Sequence, residues 1–400
     1  MSDECIAKKN TLEKKKTKVL FMAVSKNTMS GGQTMLLNIL KNINKDKYEA
    51  TLLVQEECPL SLNAMNEGIY VHYEPFTKGI KFALNNRKLR KIVLPLLLIL
   101  SSNSYLKGIK HENYDIIWCE NFTLLLLASK YKFKKTRVVS NMWSTINSKF
   151  ALKLISFIAN YIIVEADFQR KNFESIGRVN NISTVYSQID SKIFTNNYSK
   201  KTAKEKMGFT EDSFTIGFLG GCRYSKGFDY VVEVANELIN KRKVQNIIFY
   251  VAGKTETDDL LLDAKVNDDI NHLGDKLRIE DWISDKELFY KSLNLFISAS
   301  RSEGLPGSLR EAMGFEIPVI ATDAGGSKEV VGDMEYIVHF SDKEKMTHQI
   351  ADKIEGLLNN EQKYLSAIKY SKERVQELFV GTKWINTIES IFDELIIVNK

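Results

Sequence analysis

From Lys18 onward, apolar runs of strand length alternate with helical patterns, and the alternation stops once and then starts again. "KVLFMAV" (Lys18 to Val24) runs into the turn "SKNTMSGG" and a helical pattern, "QTMLLNILKNI". Further strand candidates are "ATLLVQ", "IYVHY", "DIIWC", "RVVSNM" and "YIIV". A polar, lysine-rich passage, "TNNYSKKTAKEKMGFTEDS" (Thr195 to Ser213), interrupts the pattern and reads as a linker. The alternation resumes at "FTIGFLGG", with a helix from Gly227 that buries Phe228, Val231, Val232, Ala235 and Leu238 at helical spacing. "IIFYVAG", "NLFISAS", "PVIAT" and "YIVHF" follow as strands, and residues 342–398 read as amphipathic helices. Strands separated by helices imply a parallel sheet covered on both faces. The 400 residues also exceed what one core usually supports. The expected architecture is therefore α/β, with two doubly wound domains in tandem, residues 1–194 and 195–400. Ligands bind at the carboxyl ends of such sheets, which points to a cleft between the two.

Several function classes are disfavoured. The four cysteines, Cys5, Cys58, Cys119 and Cys222, are far apart and form no CxxC pair. That argues for a reducing, cytoplasmic setting rather than a disulfide or zinc scaffold. No HExxH and no Asp-x-Asp occurs, so no metal site is expected. The apolar run at "VLFMAV" is too short for a secretion signal, and "IVLPLLLIL" (Ile92 to Leu100) is half the length of a membrane span. Charge is uneven: residues 1–200 carry 30 Lys and Arg against 16 Asp and Glu, and the remainder 26 against 34. No motif of interleaved basic and aromatic residues suggests nucleic acid. "NNRKLRKIVLPLLLIL" sets four basic residues against an apolar stretch, which suits an anionic membrane surface; a buried helix kinked at Pro95 is the plainer reading.

Three glycine-marked turns fall at strand-to-helix junctions. In "SGGQ", Gly31 and Gly32 would let a phosphate approach backbone N–H groups at a helix start. In "GGCRYSKGFDYVV", Arg223 and Lys226 stand just before a helix, where the helix dipole disfavours cations unless an anion joins them. A diphosphate would resolve that conflict. In "SEGLPGSLREAMGFEIPVIATDAGGSKEVV" (Ser302 to Val331), Glu303 lies in the loop after a buried strand and Glu311 along the next helix. A carboxylate at Glu303 can accept hydrogen bonds from sugar hydroxyls, whereas Glu311 also fits a plain surface position.

These residues carry a resemblance. "EGLPGSLRE" resembles the Glu-x7-Glu motif of retaining glycosyltransferases of family 4, and the likeness continues through "EAMGFEIPVIATDAGGSKEVV". "GFLGGCRYSKGFDYVVEVANEL" is similar to that family's phosphate-binding strand, loop and helix, "SGGQ" to its first loop, and "TVYSQIDSKIF" to a degraded form of the segment ending its first domain. The resemblance spans about residues 18–380. It implies the GT-B fold, two Rossmann-like domains with a nucleotide-sugar donor on the second and an acceptor on the first; the last helix is expected to return to the first domain.

Carried over, Lys226 and Arg223 would bind the donor diphosphate and Glu303 the sugar hydroxyls. The backbone of Gly304, Leu305 and Pro306 would line sugar and phosphates, and Glu311 would hold the ribose. The family's arginine usually stands five residues before the lysine, where this chain has Gly221; Glu120 and Trp143 stand where histidines are common. The implied activity is metal-independent, cofactor-free transfer of a hexose-type sugar from a UDP- or GDP-sugar to a glycan or lipid-linked acceptor. It would occur in the cytoplasm or at the inner membrane face, in cell-surface polysaccharide or glycoconjugate synthesis. The rivals are a non-catalytic partner or chaperone subunit of another transferase, and a sugar-nucleotide epimerase, which would need a histidine and carboxylate set not found here.

Overall fold

The computed structural model describes residues 15–86, 94–101, 105–106, 113–143, 145–189, 191–253 and 264–397. It holds two parallel sheets. The first joins β1 (Thr17–Met22), β2 (Tyr48–Val54), β3 (Tyr70–Tyr73), β4 (Ile116–Cys119), β5 (Arg137–Met142), β6 (Tyr161–Val164) and β7 (Ile182–Thr184) in the order β3-β2-β1-β4-β5-β6-β7. The second joins β8 (Phe214–Leu219), β9 (Ile247–Ala252), β10 (Leu277–Glu280), β11 (Leu295–Ser298), β12 (Val319–Thr322) and β13 (Ile337–Val338) in the order β10-β9-β8-β11-β12-β13. In each sheet the order reverses beside the first strand, between β1 and β4 and between β8 and β11. The loops leaving these strands therefore diverge, and the gap between them is where doubly wound sheets take ligands.

The central strands are buried on both faces, as crossover helices require: Val19 to Met22 and Ile116 to Cys119 are almost fully covered. The sequence pattern passed over β7 and β10. Both are short edge strands that pair with a single neighbour, and β10 is only partly buried along most of its length. Neither carries the continuous apolar run that marks a central strand.

By internal contacts the chain divides into two compact units, residues 1–141 with 157–161 and 389–400, and residues 142–156 with 162–388. Phe392, from the last helix (Lys383–Ile397), packs in the first unit on Phe21, Tyr48 and Trp118 at ring separations of 6.4, 5.7 and 5.9 Å. Tyr48 donates to Asp393 at 2.6 Å.

The passage read as a linker is built structure. Ser199 caps a helix, Lys200–Lys206, by accepting from Thr202 N–H at 3.1 Å. Ala203 and Lys204 are buried, with the Lys204 ammonium bonded to the carbonyls of Glu211 (3.0 Å) and Ser213. Glu287 gathers Thr195 and the Asn197 and Tyr198 N–H groups. Polarity here reflects capping and carbonyl-satisfied lysine rather than a loose chain. Of the basic and apolar stretch noted above, residues 87–93 lie outside the described residues. Residues 94–101 are helical, and Pro95 lies within them.

Candidate functional site

The second unit gathers most of the expected site at the carboxyl ends of β8 and β11. After β8 the chain makes a tight turn through Gly220 and Gly221 (φ 65°), then a single helical turn, Tyr224–Lys226, closed by Gly227 in the left-handed region (φ 77°). A Cβ at Gly227 would collide with the carbonyl of Ala299, so glycine is demanded both by conformation and by the close approach of the β11 loop. That approach presents Lys226 to Glu303: Nζ lies 2.7 Å from Oε1. Ser300 Oγ donates to the same oxygen at 2.6 Å. Lys226 and Glu303, 77 residues apart in the chain, are thus one charged cluster.

The two loops are also clamped together. Arg301 forms a two-pronged ion pair with Asp229, both contacts 2.7 Å, and its guanidinium stacks between Tyr224 (3.7 Å) and Tyr230 (4.2 Å). Such fork-to-carboxylate pairing fixes geometry as well as charge. The sequence reading missed Arg301; its signal was an arginine two residues before the glutamate of the motif. Arg223 belongs to the same loop, but its Nε donates to Gly220 O at 2.8 Å, bracing the turn.

Beyond Glu303, the turn Gly304–Pro306 leads into the helix Gly307–Gly314. The Gly304 carbonyl accepts from Gly326 N–H at 2.9 Å. Cβ atoms at Gly325 and Gly326 would strike the carbonyls of Glu303 and Gly304, so the Gly-Gly of "DAGGSKEVV" lets a second loop pack beneath the turn. Among the described residues no partner is found for the N–H groups of Gly304, Leu305, Gly307 and Ser308. Unpaired donors at a helix start, near an ammonium, form a ready anion cradle.

Glu311, one turn along that helix, is held by Lys286 (Oε1, 2.7 Å) and by the buried hydroxyl of Tyr290 (Oε2, 3.0 Å). Each carboxylate oxygen keeps a further lone pair for a ligand hydroxyl. Glu329 is fully engaged elsewhere: its oxygens cap the helix Asp167–Glu174 by accepting from the N–H groups of Asp167 (2.6 Å) and Phe168 (2.9 Å). The Trp143 carbonyl lies 2.8 Å from where a Gly304 Cβ would be, so this turn tolerates no side chain.

The remaining expected residues lie in the first unit. Gly31 and Gly32 open the helix Gly31–Asn42 behind Ser30, whose N–H donates to Gln33 Oε1 at 3.3 Å. Open space surrounds the Gly31 α-carbon, leaving its backbone approachable. Glu120 is buried at the end of β4 and accepts from its neighbour's indole, Trp118 Nε1, at 2.5 Å. Burial first, and the Glu120 charge second, push the Cys119 thiol well above its ordinary range, so that thiol is inert.

With this geometry in hand, comparison with known proteins is informative. Residues 199–374 match the family described as glycosyl transferases group 1. The lipopolysaccharide core biosynthesis mannosyltransferase LpsB of Rhizobium meliloti (strain 1021) is 30% identical over 150 residues, 36% of this chain and 41% of that protein. The capsular polysaccharide biosynthesis glycosyltransferase CapM of Staphylococcus aureus is 24% identical over 248 residues, 60% of each. The chain thus spans between two fifths and three fifths of the length of these relatives. Among solved structures, Anabaena HepE in complex with UDP superposes with a TM-score of 0.75 at 15% identity, covering 94% of this chain and 100% of that one. Sucrose-phosphate synthase from Thermosynechococcus elongatus superposes at 0.73 and 14% identity, covering 96% and 100%. The fold is GT-B, with two Rossmann-like α/β units, as the sequence resemblance implied.

Proposed function

We propose that this chain is a retaining glycosyltransferase of family 4 that moves a hexose-type sugar from a UDP- or GDP-sugar to a glycan or lipid-linked acceptor. Residues 195–400 act as the donor domain and residues 1–194 as the acceptor domain. The observation that carries this reading is the Lys226–Glu303 contact at 2.7 Å beside a turn with unpaired N–H groups. The ammonium neutralises the leaving diphosphate, the N–H groups take its oxygens, and the Glu303 carboxylate receives the sugar hydroxyls. Glu311 holds the ribose, and Arg223 shapes the diphosphate loop while contributing charge. The bond from the anomeric carbon to phosphate breaks on the sugar face where the acceptor oxygen bonds, and the departing phosphate oxygen takes the acceptor's proton. No protein nucleophile is needed.

The match of residues 199–374 to a glycosyltransferase family and the UDP complex of HepE support this reading. A non-catalytic partner subunit would have no use for Lys226 and Glu303 in this arrangement. The direct test is a hydrolysis and transfer screen across UDP- and GDP-sugars; failure to turn over or bind any of them overturns the proposal.

Transfer should also be independent of divalent metal, because Lys226 supplies the countercharge at the diphosphate. Full activity is expected in EDTA. Loss of activity in EDTA with recovery on adding magnesium or manganese would contradict it.

We further place the protein in the cytoplasm, at the inner face of the membrane. The surplus of 14 positive charges over residues 1–200 motivates this. So do exposed apolar side chains in the first unit: Leu96 and Leu100 one turn apart, and Phe82 beside exposed Lys78 and Lys81. No described helix is long and apolar enough to cross a membrane. Each cation near anionic lipid contributes roughly 1 kcal/mol, screened by salt. Sedimentation with phosphatidylserine vesicles should therefore fall as salt rises, and equal sedimentation with neutral vesicles would refute it.

A further inference from the structure

Arg310 stands between the two glutamates of the motif, yet it is 3% exposed. A buried guanidinium survives only when its donors and its charge are met. Here the donors are met by backbone carbonyls. Nη2 donates to Leu305 O at 3.3 Å and Nε to Pro306 O at 3.4 Å, the two carbonyls of the turn beside Glu303. Nη1 donates to the carbonyl of Ser187 and to its Oγ at 3.3 Å. Ser187 Oγ in turn donates to Glu165 Oε1 at 2.6 Å. Glu165 follows β6, is 6% exposed, and has its own N–H bonded to Gln169 Oε1 at 2.9 Å. Its second oxygen lies 3.8 Å from where a Gly304 Cβ would stand. A guanidinium, a hydroxyl and a carboxylate thus form a chain of three behind the turn, all within one compact unit.

The direction of these bonds matters. Arg310 draws the carbonyls of residues 305 and 306 to one side of the turn; a peptide plane carries its N–H opposite its C=O, and because Pro306 has no N–H the group this turns outward is that of Gly307. The N–H groups of Gly304, Leu305, Gly307 and Ser308 are the ones without partners. A leucine or alanine at position 310 would fill space in this core but could not hold the carbonyls.

We propose that Arg310, linked to Glu165 through Ser187, is a positioning residue that presents the Gly307 N–H of the Gly304–Ser308 turn to the donor diphosphate. The diphosphate half of this inference rests on the donor-site reading given above; the bracing half does not.

The test reads both halves separately. Wild type, Arg310→Met, Arg310→Lys and the milder Ser187→Ala are compared, with thermal melting to establish folding. In the ligand-free protein, amide hydrogen exchange at Gly326, whose N–H donates to the Gly304 carbonyl of the turn, should rise at least about tenfold in Arg310→Met, while a β8 peptide stays protected. Lysine, which reaches one carbonyl but lacks the fork, should restore only part of the protection. Calorimetric titration with UDP and with GDP should show affinity falling about tenfold in Arg310→Met. With the sugar donor, KM should rise while kcat at saturation stays within about threefold. A folded Arg310→Met protein with wild-type exchange and wild-type nucleotide affinity overturns the proposal. If that variant does not fold, Ser187→Ala decides, and wild-type loop exchange there counts against the brace. Should wild type bind neither nucleotide while the loop still loosens in the variants, the donor reading falls and the brace stands.

Discussion

Replacing Lys226 with alanine is expected to lower turnover by a factor on the order of a hundred to a thousand, the usual loss when one preorganised charge stabiliser is removed. On the proposed reading, the ammonium gains importance as the sugar–phosphate bond breaks, because negative charge then collects on the leaving diphosphate. The same variant should bind free nucleoside diphosphate more weakly. Glu303→Gln should behave differently: if the carboxylate serves the sugar hydroxyls as proposed, transfer is impaired while affinity for the free nucleoside diphosphate stays near wild type. Lys226 and Glu303 touch in the free protein, and a glutamine at position 303 can still accept from the ammonium, so the contact itself need not be lost. The Lys226 side chain is 28% exposed, so the ion pair contributes little to folding, about 1 kcal/mol or less. Turnover, nucleotide affinity and melting temperature measured on both variants separate the two roles. A folded Lys226→Ala protein with near-wild-type turnover would remove Lys226 from the site.

Why that pair was legible, and its surroundings were not, has a physical explanation. Strands β8 and β11 are apolar runs bounded by glycine or polar loops, so their carboxyl ends, and hence the loops holding Lys226 and Glu303, could be located by pattern. The Gly227 turn follows from a local conformational demand. By contrast, the clamp of Arg301 on Asp229 spans 72 residues, the cap of Glu329 on Phe168 spans 161, and the bonding of Arg310 to Ser187 spans 123. Periodicity reports only which face of an element is apolar. It is silent on which distant carbonyl or carboxylate will meet a buried arginine. Nothing in the sequence around Arg310 shows that it is almost fully covered. The polar passage from Thr195 misled in the opposite sense: Lys204 is buried because the Glu211 and Ser213 carbonyls satisfy it.

Glu165 offers the second large effect, and its sign is definite. Burial pushes its carboxyl from the ordinary 4.5 up to about 7; the Arg310 charge and the Ser187 hydroxyl pull the other way but do not overcome it. Between these values the folded protein holds a proton that the unfolded chain has released. Stability from this group is therefore fully present below about pH 4.5 and is lost as pH rises through 7. A displacement of that size corresponds to about 3 kcal/mol. Glu165→Gln has no proton to lose, so its stability should lack this component. Urea unfolding of both proteins at pH 5 and pH 8 isolates it, because every other titrating group contributes equally to each. The variant should gain about 2.5 kcal/mol relative to wild type on going from pH 5 to pH 8, on top of a constant offset from the substitution itself. Parallel pH dependences would show that Glu165 is not a buried, proton-holding carboxyl in the folded protein. The ionised state that costs this stability is also the one that balances Arg310 behind the Gly304–Pro306 turn.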